Sequence, residues 1–307
     1  MSLRNTFQGM SSWTQLLFLC LFAFFGLIVS ILIVGVIGLV AALKSGDVTN
    51  VGALAESINY LRLSQFLSTI FIFLMPALLC AYLFNNKTTN YLKLNKPVDV
   101  KYVLISIGLV FIIQPIISFT AYYNEQMKLP SFMSGIEKWM LGMEQSSAAM
   151  MERLMAGDTM STLFINIIII AVMAALTEEL FFRGAMQQIF NKITNNYHIS
   201  VWITAFIFSA IHMQFYGFIP RLLLGALLGY LFVWSRTIWI PILVHFLNNA
   251  SAVVIYWLYH GKPEYEKIEN IGVADSWWTI LPSVVLTVII LLFLLKEYNQ
   301  KHKYAEL

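Results

Sequence analysis

Glu178, Glu179 and Arg183 stand in "ALTEELFFRG", at the end of an aliphatic run that includes Ile167, Ile168, Ile169 and Ile170. An ionisable side chain in a stretch fit for lipid is costly and by default marks a functional site. Further along, "FSAIHM" contributes His212, and "PILVHFLNNAS" contributes His245, Asn248 and Asn249. Glu179 and Arg183 are four residues apart, share one helix face, and can pair. Without such a partner, a buried carboxylate tends to protonate. Glu178 sits about 100° further round the helix and so faces elsewhere. His245 and Asn249 are also four apart, and two convergent donors can hold one developing oxyanion. Asn248 is expected to point away from that face, as a helix–helix hydrogen-bonding residue.

This set is suited to one kind of chemistry. Glu178 would act as general base toward a water that His212 helps orient. His245 and Asn249 would stabilise the tetrahedral oxyanion of a peptide carbonyl. No serine or cysteine stands in a comparably supported position, which favours attack by water over a covalent acyl-enzyme. The chemistry indicated is peptide-bond hydrolysis within a membrane.

The elements that must position these groups follow from composition. Of 307 residues, 59% are hydrophobic and only 11% are charged, against about 25% charged in ordinary soluble domains. Runs of roughly 20 apolar residues recur, the length a helix needs to cross a bilayer. The expected fold is therefore all-α, a polytopic membrane protein of about eight transmembrane helices with its site inside the bundle. The expected spans are 16–43, 66–84, 102–122, 161–189, 199–213, 218–235, 237–259 and 277–296. If Phe190, His198 and Arg236 mark inner span ends, then Glu178, His212, His245 and Asn249 all lie roughly 14–21 Å deep. Three separate helices would thus bring polar groups to one depth.

Cations set the expected orientation. Arg4, Lys87, Lys93, Lys96, Lys101, Lys192 and Arg236 fall on one side, which the positive-inside rule makes cytoplasmic. Both termini are then cytoplasmic, in the plasma (inner) membrane of a prokaryote. The first apolar run is too long for a signal-peptide core, and "KHKYAEL" carries no CaaX or GPI-type signal. The long connection 123–160 should face outward as an amphipathic interfacial helix, with Ile136, Trp139, Met140, Met143, Met150 and Met151 at helical spacing. Cys20 and Cys80 lie in apolar runs and read as plain thiols.

The pattern Glu178-Glu179-x-x-x-Arg183, Phe208-x-x-x-His212, His245-x-x-x-Asn249 resembles the CPBP intramembrane protease family, which includes Rce1-like CaaX-processing endopeptidases and the bacteriocin-processing or immunity proteins called Abi. The resemblance covers about residues 160–260. It divides the chain into 1–159, with N-terminal spans and the outer amphipathic segment; 160–260, the catalytic core; and 261–307, with outer loop, last span and tail. It implies an endopeptidase in which Glu178 and His212 activate water and His245 and Asn249 form the oxyanion hole. Glu179 and Arg183 would support the site, and Phe208 would pack against it. The preferred mechanism uses no cofactor. The alternative is zinc held by Glu178, His212 and His245, although no His-Glu-x-x-His motif is present. The implied partners are the bilayer and a peptide or membrane-protein substrate, lipidated in CaaX-type processing or a leader peptide in other members; no nucleic acid is implied. The competing class is a non-catalytic scaffold or immunity protein that acts by binding. A transporter ranks last, because no internal repeat is present.

Overall fold

The computed structural model describes residues 7–45 and 57–303; Arg4, which entered the orientation argument, and the final residues Tyr304–Leu307 lie outside them. The described chain is helical throughout. In order, the main helices are α1 (Ser12–Ser45), α2 (Ile58–Phe84), α3 (Val100–Ile112), α4 (Gln114–Glu125), α5 (Ser134–Met155), α6 (Met160–Thr194), α7 (Tyr197–Ala210), α8 (Phe218–Ser235), α9 (Trp239–Tyr259), α10 (Pro263–Glu269) and α11 (Ile280–Lys303). Among the described residues, six helices are long and apolar enough to cross a membrane, or up to seven if the bent pair α3–α4 counts as one span. The protein is therefore an integral membrane protein.

Two of the eight expected spans depart from simple crossing helices. The expected span 102–122 is broken, with α3 and α4 meeting at 41°. Pro115, in the first turn of α4, lacks the amide proton a continuous helix would need there. Carbonyls freed near the bend find side-chain donors: Gln114 Nε2 donates to Val110 O at 3.0 Å, and Ser283 Oγ to Ile112 O at 2.5 Å. Such replacement is what permits a break at membrane depth. The expected span 199–213 is the 14-residue helix α7, and it ends before His212. Its apolar length is shorter than a bilayer requires.

Helix packing follows the small residues. Gly225 and Gly229 lie one turn apart on α8, facing α7, where a Cβ at Gly229 would come within 2.9 Å of Val201 Cγ1. A small-xxx-small face of this kind lets two backbones approach closely in lipid. It also opens the α8 carbonyls to α6. Arg183 Nη2 donates to Gly225 O at 2.9 Å, and Gln187 Nε2 to Gly229 O at 3.1 Å, two bonds in register four residues apart on both helices. One buried cluster joins α1, α2 and α6 through Leu19, Cys80, Phe84, Phe181, Phe182 and Ile189. A second joins α3, α8, α9 and α11 through Leu109, Leu228, Leu231, Val244 and Leu294. Helices α1 and α11 are the least buried of the spans and form the outside of the bundle.

The segment between α4 and α6 forms the expected helix, α5. Ile136 and Trp139 are exposed on it, whereas Leu154 is buried. Its C-terminal end is tied down by Arg62 of α2, whose Nη2 donates to Leu154 O and Ala156 O at 3.2 and 3.4 Å. A cation at the carbonyl end of a helix satisfies orphan acceptors and complements the helix dipole.

Candidate functional site

Helix α6 is not a uniform α-helix. Stretches of π-helix at Ile167–Met173 and Phe182–Gln187 bracket the α-helical segment Ala174–Phe181. Such wide turns recur at functional sites because they re-aim side chains without ending a helix. Here Glu178 and Glu179 are both buried, Glu179 completely, on a segment where simple amphipathicity would leave one outside.

Glu179 is the hub of a buried ion network. Its Oε1 accepts from Arg183 Nη1 at 2.5 Å and from His245 Nδ1 at 2.8 Å. Arg183 is fully buried; besides the ion pair and the bond to Gly225 O, its guanidinium lies 4.8 Å from the Phe208 ring. A buried carboxylate and guanidinium are tolerable only when paired and hydrogen-bonded in this way. The network ties α6 to α8 and α9.

Glu178 stands apart from that network and faces a cavity of about 400 Å³. His212, His245, Asn248, Asn249 and Phe208 line the same cavity. Glu178 Oε2 is 4.0 Å from His245 Nε2, so His245 lies between the two glutamates, one on each ring nitrogen. Glu179 fixes the ring through Nδ1, leaving Nε2 toward the cavity.

His212 occupies the turn after α7, not the interior of a span. Its Nδ1 lies 2.7 Å from Phe208 O. A carbonyl can only accept, so Nδ1 carries the proton, and in the neutral ring Nε2 is left as an acceptor. The Phe208 ring packs edge-on to both imidazoles, with centroids 5.1 Å from His212 and 6.0 Å from His245. Phe208 thereby packs against both histidines and covers Arg183.

Asn249 Nδ2 donates to Ile170 O at 3.1 Å, a carbonyl in the first π segment, and Asn248 Nδ2 donates to Asn249 Oδ1 at 3.3 Å. One Nδ2 proton of Asn249 remains uncommitted by these bonds. The expectation for Asn248 is corrected here. It lines the same cavity and touches Asn249, so it does not point away from the site. Adjacent residues on a helix are about 100° apart, and a cavity broad enough to be lined by both accepts both.

Arg221 is the lining residue that sequence reasoning missed. It falls inside the expected span 218–235 and lines the cavity, held by Gln214 Oε1 at 2.7 Å. The signal was its place at the start of α8, directly after "GFIP", where a charge reads equally well as an interfacial anchor. Met151 and Leu154 of α5 also reach this cavity. Elsewhere on α5, Glu144 Oε2 accepts from Tyr216 N at 3.2 Å.

Glu178, His212 and His245 were the ligands named for a zinc alternative. Among the described residues, no three His, Cys, Asp or Glu side chains are grouped so as to hold a metal ion. Both imidazole Nδ1 atoms are engaged by Phe208 O and Glu179, and the Nε2 of His245 is 4.0 Å from the nearest Glu178 oxygen.

With this geometry in view, the comparisons with known proteins are specific to one part of the chain. Residues 160–251 match the family model described as type II CAAX prenyl endopeptidase Rce1-like. A curated relative, "Uncharacterized protein YpbD" of Bacillus subtilis (strain 168), is 29% identical over 89 residues, covering 28% of this chain and 42% of the relative. The chain thus spans less than half the length of that relative. No solved structure gives a significant match. Every residue of the buried ion network and of the polar cavity lining named above, Arg62 and the α5 contacts aside, falls within the matched segment. The similarity to Rce1-like type II CAAX prenyl endopeptidases therefore covers the segment that carries the candidate site.

Proposed function

We propose that this protein is an intramembrane endopeptidase that hydrolyses a peptide bond with water activated by Glu178 and His212. The observation that supports it most is the division of labour between the adjacent glutamates. Glu179 is held through Oε1 by both Arg183 and His245, whereas Glu178 is left facing the polar cavity. A structural ion pair accounts for Glu179 and gives no reason for Glu178.

In this reading the substrate carbonyl lies in the cavity with Glu178 and His212 on the side of the attacking water. Glu178 takes one water proton while His212 Nε2 accepts a hydrogen bond from the other, and the water oxygen bonds to the carbonyl carbon. Negative charge then develops on the carbonyl oxygen. Asn249 offers its second Nδ2 proton, and His245 offers an Nε2 proton. Since His245 Nδ1 already donates to Glu179, an Nε2 donor requires the doubly protonated ring, for which Glu179 and the developing oxyanion supply the counter-charge. When the C–N bond breaks, the proton held by Glu178 passes to the departing amine. The products are a carboxylic acid, which then gives its remaining proton to solvent, and an amine, and no metal takes part in any step.

The catalytic core is assigned to 160–260, with 1–159 and 261–307 enclosing it. The termini face the cytoplasm of a prokaryotic cell across its inner membrane. The substrate is a membrane-associated peptide segment, either lipidated near its carboxyl end or a leader sequence.

The test compares protein termini in membranes of cells making the wild type or Glu178→Gln at matched levels. The expected outcome is a set of new termini made only by the wild type, with the rate in the variant lower by about 10²–10⁴. The same cleavage should persist when the purified enzyme is dialysed against a zinc chelator. Identical termini in both strains, with both proteins folded, would sink the catalytic reading and leave a binding role; loss of cleavage on chelation would replace the water-activation scheme with a metal-based one.

A further inference from the structure

At the end of the bundle where α6 and α8 finish and α7 begins, a second cavity of about 1030 Å³ opens. Its lining brings together Lys93 and Lys96 from the loop after the first helical hairpin, Lys192 from α6, and Arg236 after α8. These cations are far apart in sequence and meet only through the fold. Among the described residues, no ion pair engages any of them. The nearby acids are taken instead by other lysines, Glu297 by Lys101 at 3.1 Å and Asp99 by Lys301 at 3.3 Å. Lys192 and Arg236 lie over the rings of Tyr91 and Tyr298, at 5.6 and 5.7 Å. The Lys93 pKa is held below the usual lysine value, first by burial and then by Lys96, Arg236 and Lys192.

The backbone adds an independent observation. Lys93, Asn195 and Arg236 all have left-handed φ, of 57°, 51° and 59°, and all three line this cavity. Asn195 and Arg236 end helices, where glycine would serve the turn at lower cost. A lysine and an arginine held in that conformation keep a cation where a cheaper residue would do. The loops are also fastened rather than loose. Trp239 Nε1 donates to Leu94 O at 2.9 Å, and Thr237 Oγ1 to Lys96 O at 3.3 Å. In the cavity wall, Gln187 is 2% exposed and its Oε1 has no hydrogen-bond partner.

We infer that this cavity is a binding site for a phosphate-ester anion, the headgroup of an anionic phospholipid, held by Lys93, Lys96, Lys192 and Arg236. Its volume suits a whole glycerophosphate headgroup. Basic pockets between membrane helices at the cytoplasmic level recognise such headgroups. The adjoining surface is of the kind that meets acyl chains: Ile199, Trp202 and Trp239, close to the lining in sequence, are exposed and apolar or aromatic. The site lies outside the glutamate cavity and does not depend on the proposed hydrolysis.

The test is native mass spectrometry of the full chain in neutral detergent, titrated separately with phosphatidylglycerol, phosphatidylcholine and inorganic phosphate. Wild type should retain phosphatidylglycerol and not phosphatidylcholine, with retention falling as salt rises. Lys93→Gln/Lys192→Gln should bind phosphatidylglycerol roughly thirtyfold more weakly, while Lys192→Arg, which keeps the charge, should match wild type and serves as the folding control. Retention of inorganic phosphate alone, lost in the double variant, would keep the anion site but assign it to a soluble phosphate and overturn the lipid source. Equal retention of both lipids, or salt-independent retention by wild type, would overturn the site itself.

Discussion

Glu178 and Glu179 are chemically identical and adjacent, yet their surroundings divide them. Glu179 sits between Arg183 and His245 with no exposure, and Glu178 faces the cavity. Removing one partner of a buried pair leaves an uncompensated charge, so Arg183→Met should destabilise the protein by about 3–5 kcal/mol. Thermal unfolding in detergent reads this loss, and adding Glu179→Gln to the same chain should restore part of it. Asn249 ties α9 to α6 through its bond to Ile170 O, and in the reading proposed above its second Nδ2 proton serves the reaction. Asn249→Ala should lower kcat by about 10²–10³ with little change in KM, because the lost donor acts on charge that develops only in the transition state. Asn248→Ala should cost less, since Asn248 acts through its bond to Asn249 Oδ1. Equal losses in the two variants would count against that assignment.

Among the elements, α8 decides how closely α6 and α7 approach. Gly229 is the tightest position: a Cβ there would meet Gln187 Oε1 and Val201 Cγ1, both at 2.9 Å. Gly229→Val should therefore cost about 1–3 kcal/mol through overpacking and disturb the register that carries Arg183 to Gly225 O. Gly35→Ala, with nothing within 4 Å of its Cβ, is the matched control and should leave thermal stability unchanged. The π stretches in α6 and the bend at Pro115 are also properties of elements. Pro115 announces its bend in the sequence. Nothing in the residue types of "FRGAMQ" announces a π-helix, because that choice depends on the neighbours the helix must satisfy.

For the whole molecule, the clustering of Lys93, Lys96, Lys192 and Arg236 at one end gives the charge asymmetry a location. The orientation proposed above puts this end in the cytoplasm, in keeping with the positive-inside rule. In a background lacking Cys20 and Cys80, Lys262→Cys should react with a membrane-impermeant maleimide on intact cells, and Lys87→Cys only after lysis. The reverse pattern would invert the topology and place the basic cavity on the outer face.

The sequence by itself determined the medium and singled out polar residues that the structure gathers around one cavity. Apolar runs of spanning length, interrupted by Glu178, Glu179, Arg183, His245 and Asn249, leave few options for a chain in lipid. Spacing of four on a helix was enough to pair Glu179 with Arg183, because that contact is local. What only the tertiary structure decided were contacts between helices. These include His245 against Glu179 instead of Asn249 alone, the commitment of His212 Nδ1 to Phe208 O, the inward face of Asn248, and the arrival of Arg221 in the cavity. Periodicity within a helix fixes which residues share a face. Which face meets which neighbour depends on crossing and bending, and here those are set by Gly225, Gly229 and Pro115 acting on helices far apart in the chain.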